Sequence, residues 1–88
     1  MYYTYVVKSK KDHTTYIGST GNLVQRIKDH NAGKTKSIKH KLPVELIYYE
    51  AYQSKYLARK REIELKKNSS KKEELFKRLF ETPPSSSG

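Results

Sequence analysis

No cysteine occurs in the 88 residues, which excludes a disulfide framework and any thiolate metal site. Acidic residues are scarce: nine Asp and Glu stand against 19 Lys and Arg, for a formal charge of +10 and an isoelectric point near 9.8. An excess this one-sided attracts polyanions, nucleic acid foremost. An acidic membrane surface is the plainer competitor, and solubility alone the plainest. Long apolar runs are missing as well. Hydrophobic residues make up 34% of the chain and the mean hydropathy is −0.96. No segment approaches the roughly 20 apolar residues of a membrane helix, and none after Met1 has the apolar core of a secretion signal. A cytoplasmic setting with no membrane partner is therefore expected. The chain also lacks a P-loop, a zinc-ligand spacing and a nucleophile elbow.

What the chain does have is aromatic and branched mass: eight tyrosines, two phenylalanines and clusters of Val, Ile and Leu. A domain this short buries roughly 60–70% of its surface, so its core is thin. Residues 2–8 (YYTYVVK) are aromatic and β-branched and predict a strand. The polar stretch 9–13 suits a turn and 14–19 a second strand, giving a hairpin. Asn22 can cap a helix whose apolar positions Leu23, Val24, Ile27 and Ala32 fall at helical spacing before Gly33, placing it at about 22–32. Residues 34–41 read as a basic loop, 44–51 as a strand, and 54–67 as a helix capped by Ser54. Ser70 to Glu73 has the pattern of a capping box and opens a last helix carrying Leu75, Phe76, Leu79 and Phe80. From residue 81 a flexible Pro/Ser-rich tail is expected. The expected fold is α/β of the α+β type: a three-stranded, mostly antiparallel sheet flanked by helices, in the order ββαβαα.

Five residues could carry chemistry. Tyr5 and Tyr16 come close on paired strands, although tyrosines are common in strands for packing alone. Gly18 ends the second strand, where a glycine permits close approach of backbone or ligand or simply a turn. Arg26 and His30 share one helical face; Arg26 suits a bidentate phosphate contact, but a solvated arginine and a histidine favoured by the helix C-terminal dipole fit as well. Glu62 lies on the inward face with Ala58 and Leu65, yet within the basic run Arg59-Lys60-Arg61. It either neutralises a neighbouring base or holds a divalent cation, since Mg²⁺ often binds through one or two carboxylates plus phosphate and water.

Together these residues resemble the GIY-YIG nuclease family. Tyr3-Thr4-Tyr5 stands at the first motif and Tyr16-Ile17-Gly18 at the second. The run from Ser19 to Arg26 matches the family's passage into its helix arginine. His30 falls where several homing endonucleases of the family carry a histidine, and Ala58-x-x-x-Glu62 resembles the helix bearing the metal-binding glutamate. The likeness covers about residues 1–75, and the order and spacing of the motifs are far more specific than each alone. It implies residues 1–80 as a nuclease-like domain, with Tyr5, Tyr16, Arg26, His30 and Glu62 catalytic. It also implies one Mg²⁺ or Mn²⁺ on Glu62 and hydrolysis of a phosphodiester, structure-selective in DNA repair or processing. Lys34, Lys36, Lys39, Lys41, Arg59 and Arg61 would hold the backbone of the nucleic acid, DNA before RNA, and a protein partner could direct the targeting. Tyr3 and Thr4 replace the Gly and Ile of the first motif. Ser19 replaces the lysine that excision-repair relatives carry, so that cation is absent unless Lys34, Lys36 or another base substitutes. Two alternatives stay open: a nucleic-acid-binding module that has lost the chemistry, and an interaction domain for an acidic protein.

Overall fold

The computed structural model describes residues 1–80; the expected tail over residues 81–88 lies outside the described residues. Strands β1 (Tyr2–Ser9) and β2 (Thr15–Thr20) form a hairpin, followed by helix α1 (Leu23–Asn31) and a short 3₁₀ segment (Lys36–Lys41). Strand β3 (Val44–Tyr52) then leads into helices α2 (Lys55–Lys67) and α3 (Ser69–Phe80). The sheet is antiparallel throughout, in the order β2-β1-β3, so the ββαβαα arrangement expected from the sequence is the arrangement found.

The first strand is central, and its composition reflects that. Tyr5 and Val7 pack on one face with Ile38, Val44, Leu23 and Ile27, the α1 side. Val6 packs on the other with Ile17, Leu65 and Leu75, the α2–α3 side. A strand covered on both faces needs apolar or fully bonded side chains in succession. Thr4 meets the requirement by donating its hydroxyl to the Ala58 carbonyl of α2 at 2.7 Å.

The helix ends follow capping chemistry. The Asn22 side chain accepts from the Gln25 amide at 3.1 Å and the Ser54 hydroxyl from the Leu57 amide at 3.1 Å, as expected. Gly33, at φ +80°, takes the left-handed conformation that follows α1. Two expectations fail. The basic loop is wound into the 3₁₀ segment, anchored because Ile38 is buried under β1 and the Ser9 hydroxyl donates to the Lys41 carbonyl at 2.6 Å. The capping box at Ser70 is not used either. Asn68 accepts from the Lys71 amide at 3.2 Å, while its own amide donates to the Glu64 carbonyl at 2.8 Å. One residue therefore ends α2 and starts α3, and α3 begins two positions earlier than the box predicts. No described helix is long and apolar enough to cross a membrane.

Candidate active site

The hairpin register sets the site. Tyr5 lies opposite Gly18, and Tyr16 lies opposite Val7, so the two tyrosines are diagonal neighbours on one face. The Tyr5 ring crosses directly over Gly18. A Cβ there would stand 2.7 Å from Cζ of Tyr5, and closer still to the hydroxyl oxygen. The glycine thus serves close approach of a side chain rather than of a ligand.

Helix α1 brings His30 beneath both tyrosines, with ring centroids 5.8 Å from Tyr5 and 5.6 Å from Tyr16. His30 is fully buried and bonded at both ring nitrogens: Nε2 lies 2.8 Å from the Tyr5 hydroxyl and Nδ1 2.8 Å from the Thr35 hydroxyl. Arg26, one turn earlier, donates from Nε to the Tyr5 oxygen at 3.4 Å. With Arg26 donating, the simplest proton order has Tyr5 donating to Nε2 and Nδ1–H donating to Thr35. Burial, seconded by the Arg26 charge, holds His30 below the ordinary histidine range and therefore neutral near pH 7. Burial also raises the Tyr5 phenol above its ordinary value, against the opposing pull of Arg26. Tyr5 is 1% exposed, so at neutral pH it is a protonated phenol wired into a relay rather than a phenolate facing water. The Tyr5 hydrogen bond in turn raises Arg26 above its ordinary value.

Glu62 approaches from the opposite layer. It lies on α2, buried to 7% exposure, beside the edge strand β2. The Ser19 hydroxyl donates to Oε1 at 2.6 Å and the Lys66 ammonium to Oε2 at 2.7 Å; Arg59 stands at 3.9 Å. Burial alone would raise this carboxyl, but the bonds from Lys66 and Ser19 outweigh it and keep Glu62 below the ordinary carboxylate range, hence ionised. Lys66 also lies 5.5 Å from the centroid of the Tyr16 ring. Tyr16, half-buried on the edge strand, is thus the junction: one ring contact reaches His30 and the other Lys66.

All five expected catalytic residues therefore gather around β2. The backbone-binding set divides. Lys36, Lys39 and Arg59 are exposed, and Lys34 is exposed with an ion pair to Asp29 at 3.6 Å. Lys41 is tied to Asp12 at 3.3 Å and to the Thr14 hydroxyl at 2.9 Å. Arg61 is engaged away from the tyrosines: it clamps Glu50 of β3 through Nε (2.9 Å) and Nη2 (3.1 Å) and reaches Glu64 at 2.7 Å. Tyr48 and Tyr52 donate to the same Glu50 carboxylate. Three participants escaped the sequence reading. Ser19 and Lys66 partner Glu62, and the Glu62/Lys66 spacing of four was a signal that could have shown the second. Thr35 had none, because only the fold brings it to His30.

The sequence model of the GIY-YIG catalytic domain matches residues 1–75. The chain is 47% identical over 66 residues to a UPF0213 protein of Staphylococcus haemolyticus, covering 74% of this chain and 79% of that one. It is 43% identical over 76 residues to the UPF0213 protein YazA of Bacillus subtilis, covering 85% and 76%. The solution structure of a UPF0213 protein from Bacillus halodurans superposes with a TM-score of 0.54 at 33% identity, covering 98% of this chain and 92% of that one.

Proposed function

We propose that this chain, which belongs to the GIY-YIG catalytic domain family, is a divalent-metal-dependent endonuclease that hydrolyses phosphodiester bonds in nucleic acid. The observation that carries the reading is the convergence on Tyr16 of two differently built groups. One is the relay Arg26–Tyr5–His30–Thr35 from α1. The other is the ionised carboxylate of Glu62 from α2, which reaches the Tyr16 ring through Lys66. A phosphodiester lying along β2 would touch both.

Each residue then has a task. Tyr16 faces the attacking water, being half-buried where Tyr5 is closed off. Tyr5 acts through His30: neutral Nε2 is the proton acceptor on the Tyr5 hydroxyl, and Thr35 fixes the tautomer. Arg26 spends Nε on Tyr5 and turns its remaining nitrogens to the phosphoryl oxygens, where charge develops. Lys36, Lys39 and Arg59 hold the flanking backbone without regard to sequence.

Glu62 is the residue that would hold Mg²⁺ or Mn²⁺. No group of three or more His, Asp or Glu residues among the described residues could cage an ion. A single ionised carboxylate beside a hydroxyl nonetheless fits an ion that keeps several waters and takes the rest of its shell from substrate phosphate. Bound there, the ion supplies Lewis acidity and orients the phosphate.

The test is a panel of nicked, flapped and single-stranded DNA and RNA incubated with Mg²⁺, beside Tyr16→Phe, Arg26→Ala and Glu62→Ala. Cleavage that survives Glu62→Ala undiminished refutes the metal assignment. One observation favours the alternative of a binding module without chemistry: both Glu62 oxygens are already met by protein donors. Binding that weakens with salt, with no cleavage of any substrate, would establish that alternative.

A further inference from the structure

Glu62 has two oxygens, and they are not held alike. Oε1 accepts from Ser19, a short side chain fixed on β2. Oε2 accepts from Lys66 at the end of a flexible stem whose side chain is 43% exposed. Arg59 is too far for a hydrogen bond and more exposed still, at 69%. Oε2 is therefore closed by one exchangeable group. That group already lies within 5.5 Å of a second station, the centroid of the Tyr16 ring. The two stations are close enough for rotation of the lysine's terminal torsions to exchange them, and an aromatic face retains a cation once its ion pair is broken.

Resting on the nuclease reading above, we propose that Lys66 is the movable cation of this site. In the free protein its ammonium holds Oε2 of Glu62. A divalent ion arriving at that oxygen displaces it by like-charge repulsion, and the ammonium moves over Tyr16, where it faces the substrate phosphate. Lys66 is thus both a competitor for the metal and a positioning residue for the substrate. The same arrangement keeps a buried carboxylate satisfied when no ion is present, since an unpaired buried carboxylate is strongly disfavoured.

The test measures metal affinity apart from activity. Mn²⁺ is titrated into the full chain and its paramagnetic broadening of the Ser19 and Glu62 backbone amides followed by NMR. The comparison includes wild type, Lys66→Met, Lys66→Arg and Glu62→Gln. Removing the competitor in Lys66→Met should tighten Mn²⁺ binding by about two- to fivefold, the range expected from a partly exposed ion pair. Lys66→Arg, which keeps a cation, should stay near wild type, and Glu62→Gln should abolish the effect. At saturating Mn²⁺, Lys66→Met should cleave on the order of ten- to a hundredfold more slowly, with Lys66→Arg partly restoring the rate. Tighter binding reads the competition at Oε2, and the move over Tyr16 is read separately, in the loss of rate at saturating Mn²⁺ and its partial rescue by arginine. Unchanged or weaker binding in Lys66→Met, with Glu62→Gln still abolishing it, overturns the inference and leaves the metal assignment standing. Absence of broadening in both wild type and Lys66→Met overturns both. Tighter binding with undiminished cleavage refutes the positioning half.

Discussion

Replacing Gly18 by alanine is the sharpest probe of the Tyr5 relay. The added Cβ would meet Cζ of Tyr5 at 2.7 Å and Cε2 at 3.1 Å, with the hydroxyl nearer still. Real Cβ atoms essentially never stand under 3.0 Å from a heavy atom outside their own residue and its chain neighbours, so something must move. Neither backbone yields easily, because Tyr5 and Gly18 face each other across the β1–β2 ladder and Tyr5 also pairs with Tyr49 of β3. The ring has to tilt, and it has little free space, being 1% exposed among Val7, Ile38 and Val44. Overpacking of this kind costs about 1–3 kcal/mol. Tilting also stretches the Tyr5–His30 bond and strands a buried ring nitrogen, about 1–2 kcal/mol more. Gly18→Ala should therefore lose about 2–5 kcal/mol, a large share of the roughly 5–15 kcal/mol available to a domain.

The assay is urea unfolding of wild type, Gly18→Ala, Tyr5→Phe and the double variant. Tyr5→Phe removes the atom nearest the new methyl but leaves the ring carbon at 2.7 Å. The double variant should thus be less destabilised than the sum of the singles, by about 1 kcal/mol, with part of the clash remaining. A loss below about 1 kcal/mol in Gly18→Ala, or strict additivity, would refute the packing argument and with it the claim that Gly18 is there for Tyr5.

Further outcomes are expected. His30 is depressed below its ordinary value, so its contribution is present above about pH 6.5 and is lost as pH falls through its folded-state value. His30→Gln should then show a shallower fall of Tm between about pH 7 and 5 than wild type, and an equal slope in both would contradict the buried neutral imidazole. Glu50→Gln should destabilise by about 1–2 kcal/mol, because Arg61, Tyr48 and Tyr52 all meet at that carboxylate. Tyr52 is raised to about 12 by burial and by Glu50, so its share of that stability is intact below pH 10 and lost as pH rises through about 12, visible in an alkaline melt. In nucleic-acid titrations, Lys36→Ala and Lys39→Ala should each lower the salt slope by about 0.9 if they contact duplex phosphates, whereas Arg61→Ala should leave it unchanged; equal effects from all three would reject the division made here. Asn68→Ala should cost about 1 kcal/mol and Ser70→Ala almost nothing, and the reverse order would restore the capping box.

The fold was legible where local chemistry and tertiary need coincide. The apolar succession Tyr5-Val6-Val7 marked a strand, and only the second covering layer explains why no polar residue interrupts it. Asn22 and Ser54 announced their helices because each cap acts within three residues. Ser70 misled because its pattern is equally local, yet Asn68 had already been placed at the corner by the end of α2. The basic run Lys34 to Lys41 read as a loop because charge masks periodicity, and one buried residue, Ile38, suffices to wind it. The site was legible as a set of residues but not as a circuit. Spacing could place Arg26 with His30 on one face and Glu62 with Ala58 on another. It could not show that the first pair reaches Tyr5 while the second rounds the edge of β2, since that depends on strand order. Nor could composition rank the cations: Arg61 sits in the most basic run of α2 and is consumed by Glu50 and Glu64, whereas Lys66, one turn beyond Glu62, holds the site's carboxylate. In a chain with 19 basic residues and nine acidic ones, the informative feature is the carboxylate each base has found, because that pairing decides which positive charges remain for a phosphate.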